Sequence, residues 1–325
     1  MIYVNNLVKT FKKPIREEGV FGMLKTLFSR KYEKIEAVKG ISFQINDGEM
    51  VGLIGSNGAG KSTTIKMMCG ILNPTSGEVK INGLNPHDDR MKVAQNIGVV
   101  FGQKTQLWWD IPLIESFKIL KEIYQVSDDD YKKRMNFLNE LLSLNDFIHQ
   151  PVRTLSLGQR MRADLGASFL HNPSILFLDE PTIGLDVLVK ENIRKAIKEM
   201  NKEYNTTVIL TTHDMSDIED LCNRLIIIDK GTVLFDGPQD EIKNKFGNTK
   251  SLHITYKDKI DNKEFDTFDG KVTYKLDGHS LYATFNADLI EFDNVLGYLV
   301  KEVHIDDMSI HSITIEDVVK DLFKE

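Results

Sequence analysis

Nine consecutive residues, Gly55-Ser56-Asn57-Gly58-Ala59-Gly60-Lys61-Ser62-Thr63, have the composition of a loop that holds phosphate. Glycines let a backbone curl until successive N–H groups point at one anion, and a helix beginning there adds its partial positive charge. A lysine at this position reaches the outer phosphates, and the Ser62 hydroxyl is a ligand for Mg2+. The apolar run MVGLI precedes the loop and TTIKMMCGIL follows with helical spacing. Strand before and helix after is the context this chemistry requires.

Further along, residues 174–186 read SILFLDEPTIGLD. A buried strand ending in Asp179 and Glu180 suits metal-assisted hydrolysis: one carboxylate orients a metal-bound water and the next polarises the attacking water. An acidic turn after a strand is commonplace, and the phosphate loop upstream gives this one its meaning. The two segments together imply hydrolysis of a nucleoside triphosphate.

These groups need a scaffold. From Glu36 to about Pro238, short β-type runs alternate with helical stretches, the pattern of an α/β sheet with crossover helices. MVGLIG, SILFLD and TVILTT are continuous apolar runs, as expected of central strands covered on both faces. Between about 104 and 173 the strand pattern disappears. ESFKILKEIYQV and the run from Asp129 to Phe147 have helical spacing, so an inserted helical subdomain is expected. RLIIIDKGTVLFDG reads as a hairpin turning at Asp229, Lys230 and Gly231.

Residues 1–246 are expected to form one domain and 247–325 a small α+β domain. In the latter, Val272, Tyr274 and Leu276 alternate, Asp277-Gly278 supplies a turn, and Leu281, Ala283 and Phe285 alternate again. LIEFDNVLGYLV reads as a helix, EVHID as a short strand and TIEDVVKDLF as a last helix.

Composition narrows the function classes. The 325 residues carry a net charge of −7, which argues against a dedicated nucleic-acid binder, because such a protein needs a dense basic face. No stretch reaches the roughly 20 apolar residues of a membrane span, and the N-terminus is polar where a secretion signal is apolar. A cytosolic chain is expected unless a partner carries it to a membrane. Cys69 and Cys222 lie in apolar segments without metal-ligand spacing and read as core. One basic stretch stands out, from Lys9 to Lys34, with eight Lys or Arg against three Glu. It encloses VFGMLKTLF, residues 20–28, an amphipathic helical candidate that packs on its own domain or docks to a membrane protein or anionic headgroups.

The order of motifs carries a resemblance. Leu155-Ser156-Leu157-Gly158-Gln159-Arg160 resembles the LSGGQ signature of ABC ATPases, with Leu157 where glycine is usual. It reads as a helix start capped by Ser156, whose first-turn N–H groups form an anion site. Glycine at Leu157 would permit a left-handed or very close backbone, so leucine is expected to weaken standard geometry slightly. Across roughly Met1 to Gln239 the chain is similar to ABC transporter ATP-binding subunits. The implied fold is α/β, a P-loop NTPase core of ABC type with a helical insertion.

The resemblance implies ATP and Mg2+ as cofactors. Lys61, Glu180, His213 and Gln103 become catalytic, and Ser62, Gln103 and Asp179 hold the metal. The nucleotide is held by Gly55 to Thr63, Gln103 and Asp179, with Ser156, Gly158, Gln159 and the D-loop Asp186 acting across a dimer. Gln103 matches the Q-loop glutamine beside the permease surface, and His213 the switch histidine at the γ-phosphate. Either Phe11 or Tyr32 stacks on adenine; Tyr32 keeps the better spacing to EAVKGISF. Trp108 and Trp109 suit an interface anchor, or pack within the helical subdomain.

The implied partners are a second copy or a paralogous ATPase, and separate integral-membrane permeases that hold the chain at the cytoplasmic face of the membrane. VVFGQKTQLWWDIPLIES, the basic insertion and the C-terminal SITIEDVVKDL are similar to bacterial exporter ATPases, so export is favoured over import. A soluble ABC-type ATPase acting on ribosome or nucleic acid is the alternative, and the C-terminal domain stabilises the dimer, senses a ligand or simply packs.

Overall fold

The computed structural model describes residues 1–14, 32–102, 104–246, 249–256 and 265–312. The amphipathic candidate at 20–28, Gln103 and the last helical candidate at 314–323 lie outside the described residues. The chain forms two compact units, Met1–Gly237 and Pro238–Glu325. This division falls ahead of the 246/247 boundary expected from sequence, at the Gly-Pro pair that ends a strand.

In the first unit, β1 (Ile2–Pro14), β2 (Tyr32–Ile45) and β4 (Ser76–Ile81) make an antiparallel sheet in the order β2-β1-β4. The larger sheet contains β3 (Met50–Ile54), β5 (Ile97–Phe101), β6 (Ile175–Asp179), β7 (Thr207–Thr211), β8 (Arg224–Asp229) and β9 (Thr232–Pro238), in the order β5-β6-β7-β3-β8-β9. Its first five strands pair parallel. All five residues of β3 and of β7 are buried, which is why their sequences are apolar without alternation. One core of apolar side chains joins the two sheets: Ile2, Val4 and Ile45 pack with Val51, Phe177 and Ile226.

The helices are α1 (Lys61–Met68), α2 (Arg90–Ala94), α3 (Leu113–Ile123), α4 (Asp128–Leu142), α5 (Leu157–Phe169), α6 (Val187–Tyr204) and α7 (Met215–Leu221). Three of them, α3 to α5, fill the interval where strand patterning is missing. The start of α4 follows from its sequence: Ser127 accepts the backbone N–H of Asp130, and three aspartates occupy the first turn. A hydroxyl cap with acidic residues at a helix N-terminus contributes about 1 kcal/mol or more. The buried face of α5 presents Met161, Ala163, Leu165, Ala167 and Phe169, along with the charged Asp164.

The second unit opens with α8 (Gln239–Phe246) and continues as an antiparallel sheet of β10 (Thr249–Tyr256), β11 (Val272–Asp277), β12 (Ser280–Asn286) and β13 (Ile305–Ser312), in the order β11-β12-β10-β13. Helix α9 (Phe292–Glu302) supplies Val295 and Leu299 to a core with Leu252, Ile254, Leu281 and Phe285. Alternate residues of β12 are buried, the period-2 pattern read from sequence.

Candidate functional site

The chemistry-bearing residues gather at the carboxyl ends of β3, β6 and β7, adjacent strands of the parallel sheet. Open α/β sheets bind ligands at that edge. After β3 the chain curls through Gly55 to Gly60 and enters α1. Gly60 sits at φ 109°, and a Cβ there would lie 2.5 Å from the Ala37 carbonyl oxygen, so only glycine fits. Lys61 is 7% exposed, and its ammonium donates to the Gly55 carbonyl at 2.6 Å and the Ser56 carbonyl at 3.1 Å. Burial pulls its pKa below the ordinary lysine value, while Glu180 and Asp179 oppose that shift. An ammonium held inside this loop by two carbonyl oxygens can exchange those contacts for the oxygens of an anion.

The loop is braced from outside by residues that motif reading passes over. Ser56 Oγ donates to Asp229 Oδ1 at 2.7 Å, and Gly231 N donates to the Ala59 carbonyl at 3.1 Å. The turn at Asp229 to Gly231 therefore steadies the phosphate loop as well as joining β8 to β9. Lys39 N donates to the Gly231 carbonyl at 2.8 Å, which brings β2 into the same arrangement.

At the end of β6, Asp179 Oδ1 accepts from Ser62 Oγ at 3.3 Å and also from the Thr211 hydroxyl. Glu180 follows in left-handed backbone at φ 57°, with its N–H on the Thr211 carbonyl at 2.8 Å. A non-glycine residue there costs about 1–2 kcal/mol, and such strain gathers at functional sites. It aims the carboxylate along the sheet edge, where Glu180 Oε1 lies 2.7 Å from His213 Nε2. Ser62, Asp179, Glu180, Gly102 and Lys104 line a cleft of about 460 Å³. Hydroxyl and carboxylate oxygens are hard donors suited to Mg2+, which commonly takes one or two carboxylates plus phosphate oxygens.

Two loops leave this edge, one carrying Glu180 and the other His213, and a buried carboxylate joins them. Asp217 is fully buried and accepts from Thr182 Oγ1, from Thr212 Oγ1 at 3.1 Å and from Arg194 Nη1 at 2.9 Å. Lys190 Nζ reaches Asp214 at 2.5 Å beside it. None of Asp217, Arg194 or Lys190 emerges from motif reading; the usable signal is Asp217, four residues after His213.

The predicted signature turn is a helix start. Ser156 caps α5: its Oγ accepts from Gln159 N at 3.2 Å, and Gln159 Oε1 accepts from Ser156 N at 2.9 Å, a reciprocal capping box. Leu157 occupies the first helical position, in right-handed backbone that needs no glycine. Asp186 caps α6 by accepting from Val189 N at 3.0 Å.

Buried Asp164 on α5 accepts from Thr105 Oγ1 at 2.8 Å and Gln106 N at 3.2 Å. Burial raises its pKa to about 6, against the opposing effect of Thr105, Gln106 and Arg160. The two cysteines are buried and free, and burial drives both thiols well above their usual range. Among the described residues, no helix is long and apolar enough to cross a membrane.

The aromatic candidates separate by strand register. Phe11 pairs with Ile35, two residues from the Ala37 that touches the phosphate loop, and Tyr32 pairs with Pro14 at the far end of the same ribbon. At about 3.3 Å per residue, Phe11 stands roughly 7 Å along the strand from Ala37 and Tyr32 roughly 17 Å.

A family model described as ABC transporter matches residues 38–183. The linearmycin resistance ATP-binding protein LnrL of Bacillus subtilis is 34% identical over 226 residues, spanning 70% of this chain and 72% of that protein. The ABC transporter ATP-binding protein NatA of Bacillus subtilis is 30% identical over 215 residues, 66% of this chain and 87% of that protein. The cholesterol transporter ABCA5 of Rattus norvegicus is 31% identical over 311 residues, and the chain spans only 19% of its length. Among solved structures, an ATP-binding subunit of an ABC transporter superposes with a TM-score of 0.62 at 25% identity, covering 76% of this chain and 93% of that one. The ATP-binding cassette MJ0796, a dimer in a post-hydrolysis state bound to ADP and Pi, gives 0.60 at 27% identity, with 73% and 98% covered.

Proposed function

This chain belongs to the ABC transporter ATP-binding family and is an ATPase, and from that premise we propose that it powers an exporter by closing, as one of two ATPase subunits, beneath separate membrane permeases. The observation that carries the reading is the meeting of Lys61, Ser62, Asp179, Glu180 and His213 at one sheet edge, with Ser156 capping a helix elsewhere in the unit. A helix start carries the partial positive charge of its axis and binds an anion, and in a dimer it serves the nucleotide of the opposite subunit.

In this reading Gly55 to Thr63 wrap the phosphates and Lys61 neutralises the outer ones. Ser62, Asp179 and Gln103 would hold Mg2+, which would offset phosphate charge. Glu180 takes the proton of the attacking water, held by the left-handed turn that sets its carboxylate beside His213. His213 donates toward the γ-phosphate once nucleotide separates it from Glu180. Phe11, nearer the phosphate loop, replaces Tyr32 as the proposed adenine platform. Asp186, by capping α6, holds the D-loop that faces the partner. The C-terminal unit is proposed as an accessory domain.

The test is co-purification. A tagged Glu180→Gln chain expressed in its native cell and solubilised with ATP and Mg2+ should bring down stoichiometric multi-span proteins. Recovery with ribosomes or nucleic acid in the soluble fraction would overturn the transport reading and leave the ATPase chemistry standing.

A further inference from the structure

Apart from one bond inside the segment, residues 105–109 make their described hydrogen bonds to the helical layer. Thr105 Oγ1 donates to Asp164 Oδ1 at 2.8 Å, Gln106 N donates to the same oxygen at 3.2 Å, and Gln106 Nε2 donates to the Asp164 carbonyl at 3.3 Å. Leu107 N donates to Thr105 Oγ1 at 3.0 Å, which turns that hydroxyl's proton toward the carboxylate. One helical turn before Asp164, the Arg160 guanidinium lies 5.6 Å from the Trp109 ring centroid. Trp108 N donates to Ser116 Oγ of α3 at 3.2 Å, and Arg153 N donates to the Trp109 carbonyl at 3.0 Å. Both tryptophans stay substantially exposed, at 39% and 47%.

We propose that Asp164 is a positioning residue that fastens the Thr105–Trp109 segment to α5, so that the two exposed tryptophans move with the Ser156–Gln159 turn as one body. Packing alone does not call for a carboxylate on the buried face of α5, where Ala163 and Ala167 show that small apolar residues fit. A buried charge is retained only where its hydrogen bonds are made, and those described for the Asp164 carboxylate go to this segment. Arg160, four residues back on the same helix, is the charged group facing it and also covers Trp109. A displacement of the capped turn toward nucleotide is thereby transmitted to the tryptophan pair.

The inference rests on the proposed sandwiching of ATP by the Ser156 turn, and the experiment keeps the two failures apart. The chain has two tryptophans, both in this segment, so fluorescence excited selectively at tryptophan, away from tyrosine absorption, reports on that segment alone. In the Glu180→Gln background, acrylamide quenching of that fluorescence is measured with and without ATP and Mg2+, alongside light-scattering mass. With Asp164 present, nucleotide should change the quenching constant as the dimer forms. With Asp164→Ala added, the resting quenching constant should rise by about twofold or more, as a locally opened segment exposes its rings, and the nucleotide response should vanish although the dimer still forms. Asp164→Asn keeps an acceptor for Thr105 and Gln106 and should restore the response.

Thr105→Val removes the same bond from the loop side and serves if Asp164→Ala does not fold. Unchanged quenching and an unchanged nucleotide response in Asp164→Ala or Thr105→Val would overturn the proposal. Failure of the Glu180→Gln parent to dimerise would instead overturn the sandwich reading, and the resting quenching constants alone would then decide for or against the Asp164 fastening.

Discussion

Replacing Asp217 by alanine should destabilise the ATPase unit by about 3–5 kcal/mol, because removing one partner of a buried ion pair leaves the other uncompensated. The structure refines that range. Arg194 is 15% exposed and keeps Asp220 at 3.5 Å, which favours the low end. The Thr182 and Thr212 hydroxyls both lose an acceptor, and each buried hydroxyl left unpaired adds about 1 kcal/mol. For a unit of this size, the resulting loss of about 5 kcal/mol lowers the melting temperature by roughly 10–20 °C. Urea unfolding followed by circular dichroism measures the free energy, and steady-state ATP hydrolysis measures the consequence for the site. Since Asp217 ties the loop after Glu180 to the loop carrying His213, kcat should fall more than the KM for ATP rises. A loss under about 1 kcal/mol would refute the idea that this carboxylate clamps the two loops.

Three further outcomes follow from the same geometry. Lys61→Ala removes the ammonium inside the phosphate loop, so ATP hydrolysis in a coupled assay should fall by about a hundredfold or more; near-parent turnover would remove Lys61 from the mechanism. Ser156→Ala deletes the cap of α5 and should cost about 1 kcal/mol in urea unfolding. Asp164, with its pKa raised to about 6, holds its proton more tightly folded than unfolded, so it contributes stability at low pH that is lost as pH rises from about 4 to 6. The stability difference between the parent and Asp164→Ala should change by about 3 kcal/mol across that window, and a flat difference would refute the assignment.

What the sequence made legible was local. The phosphate loop, the Asp179-Glu180 strand end and the Ser156 cap are each written in a few consecutive residues whose backbone needs are met nearby. Central strands were readable because burial on both faces leaves a continuous apolar run. Asp217, Arg194, Asp229 and Asp164 were not readable, because their partners lie 35, 23, 173 and 59 residues away and only the fold brings them together. Counting along the chain favours Tyr32 as the adenine platform, whereas strand register favours Phe11. Register between β1 and β2, with irregularities near Val4, Leu7 and Lys9, sets which ring stands near the loop. The antiparallel sheet of β1, β2 and β4 was missed although Ile41, Phe43 and Ile45 alternate with polar residues, because its pairings join distant segments, Ile2 with Ile45 and with Ile81.

The most direct test of the central claim is the mass of the Glu180→Gln chain in solution with and without ATP and Mg2+, measured together with its rate of hydrolysis. The 37.1 kDa chain should double in mass only with nucleotide and should hydrolyse ATP at a small fraction of the parent rate. A chain that binds ATP, stays a monomer and turns it over at close to the parent rate would contradict the account at both the dimer and the base.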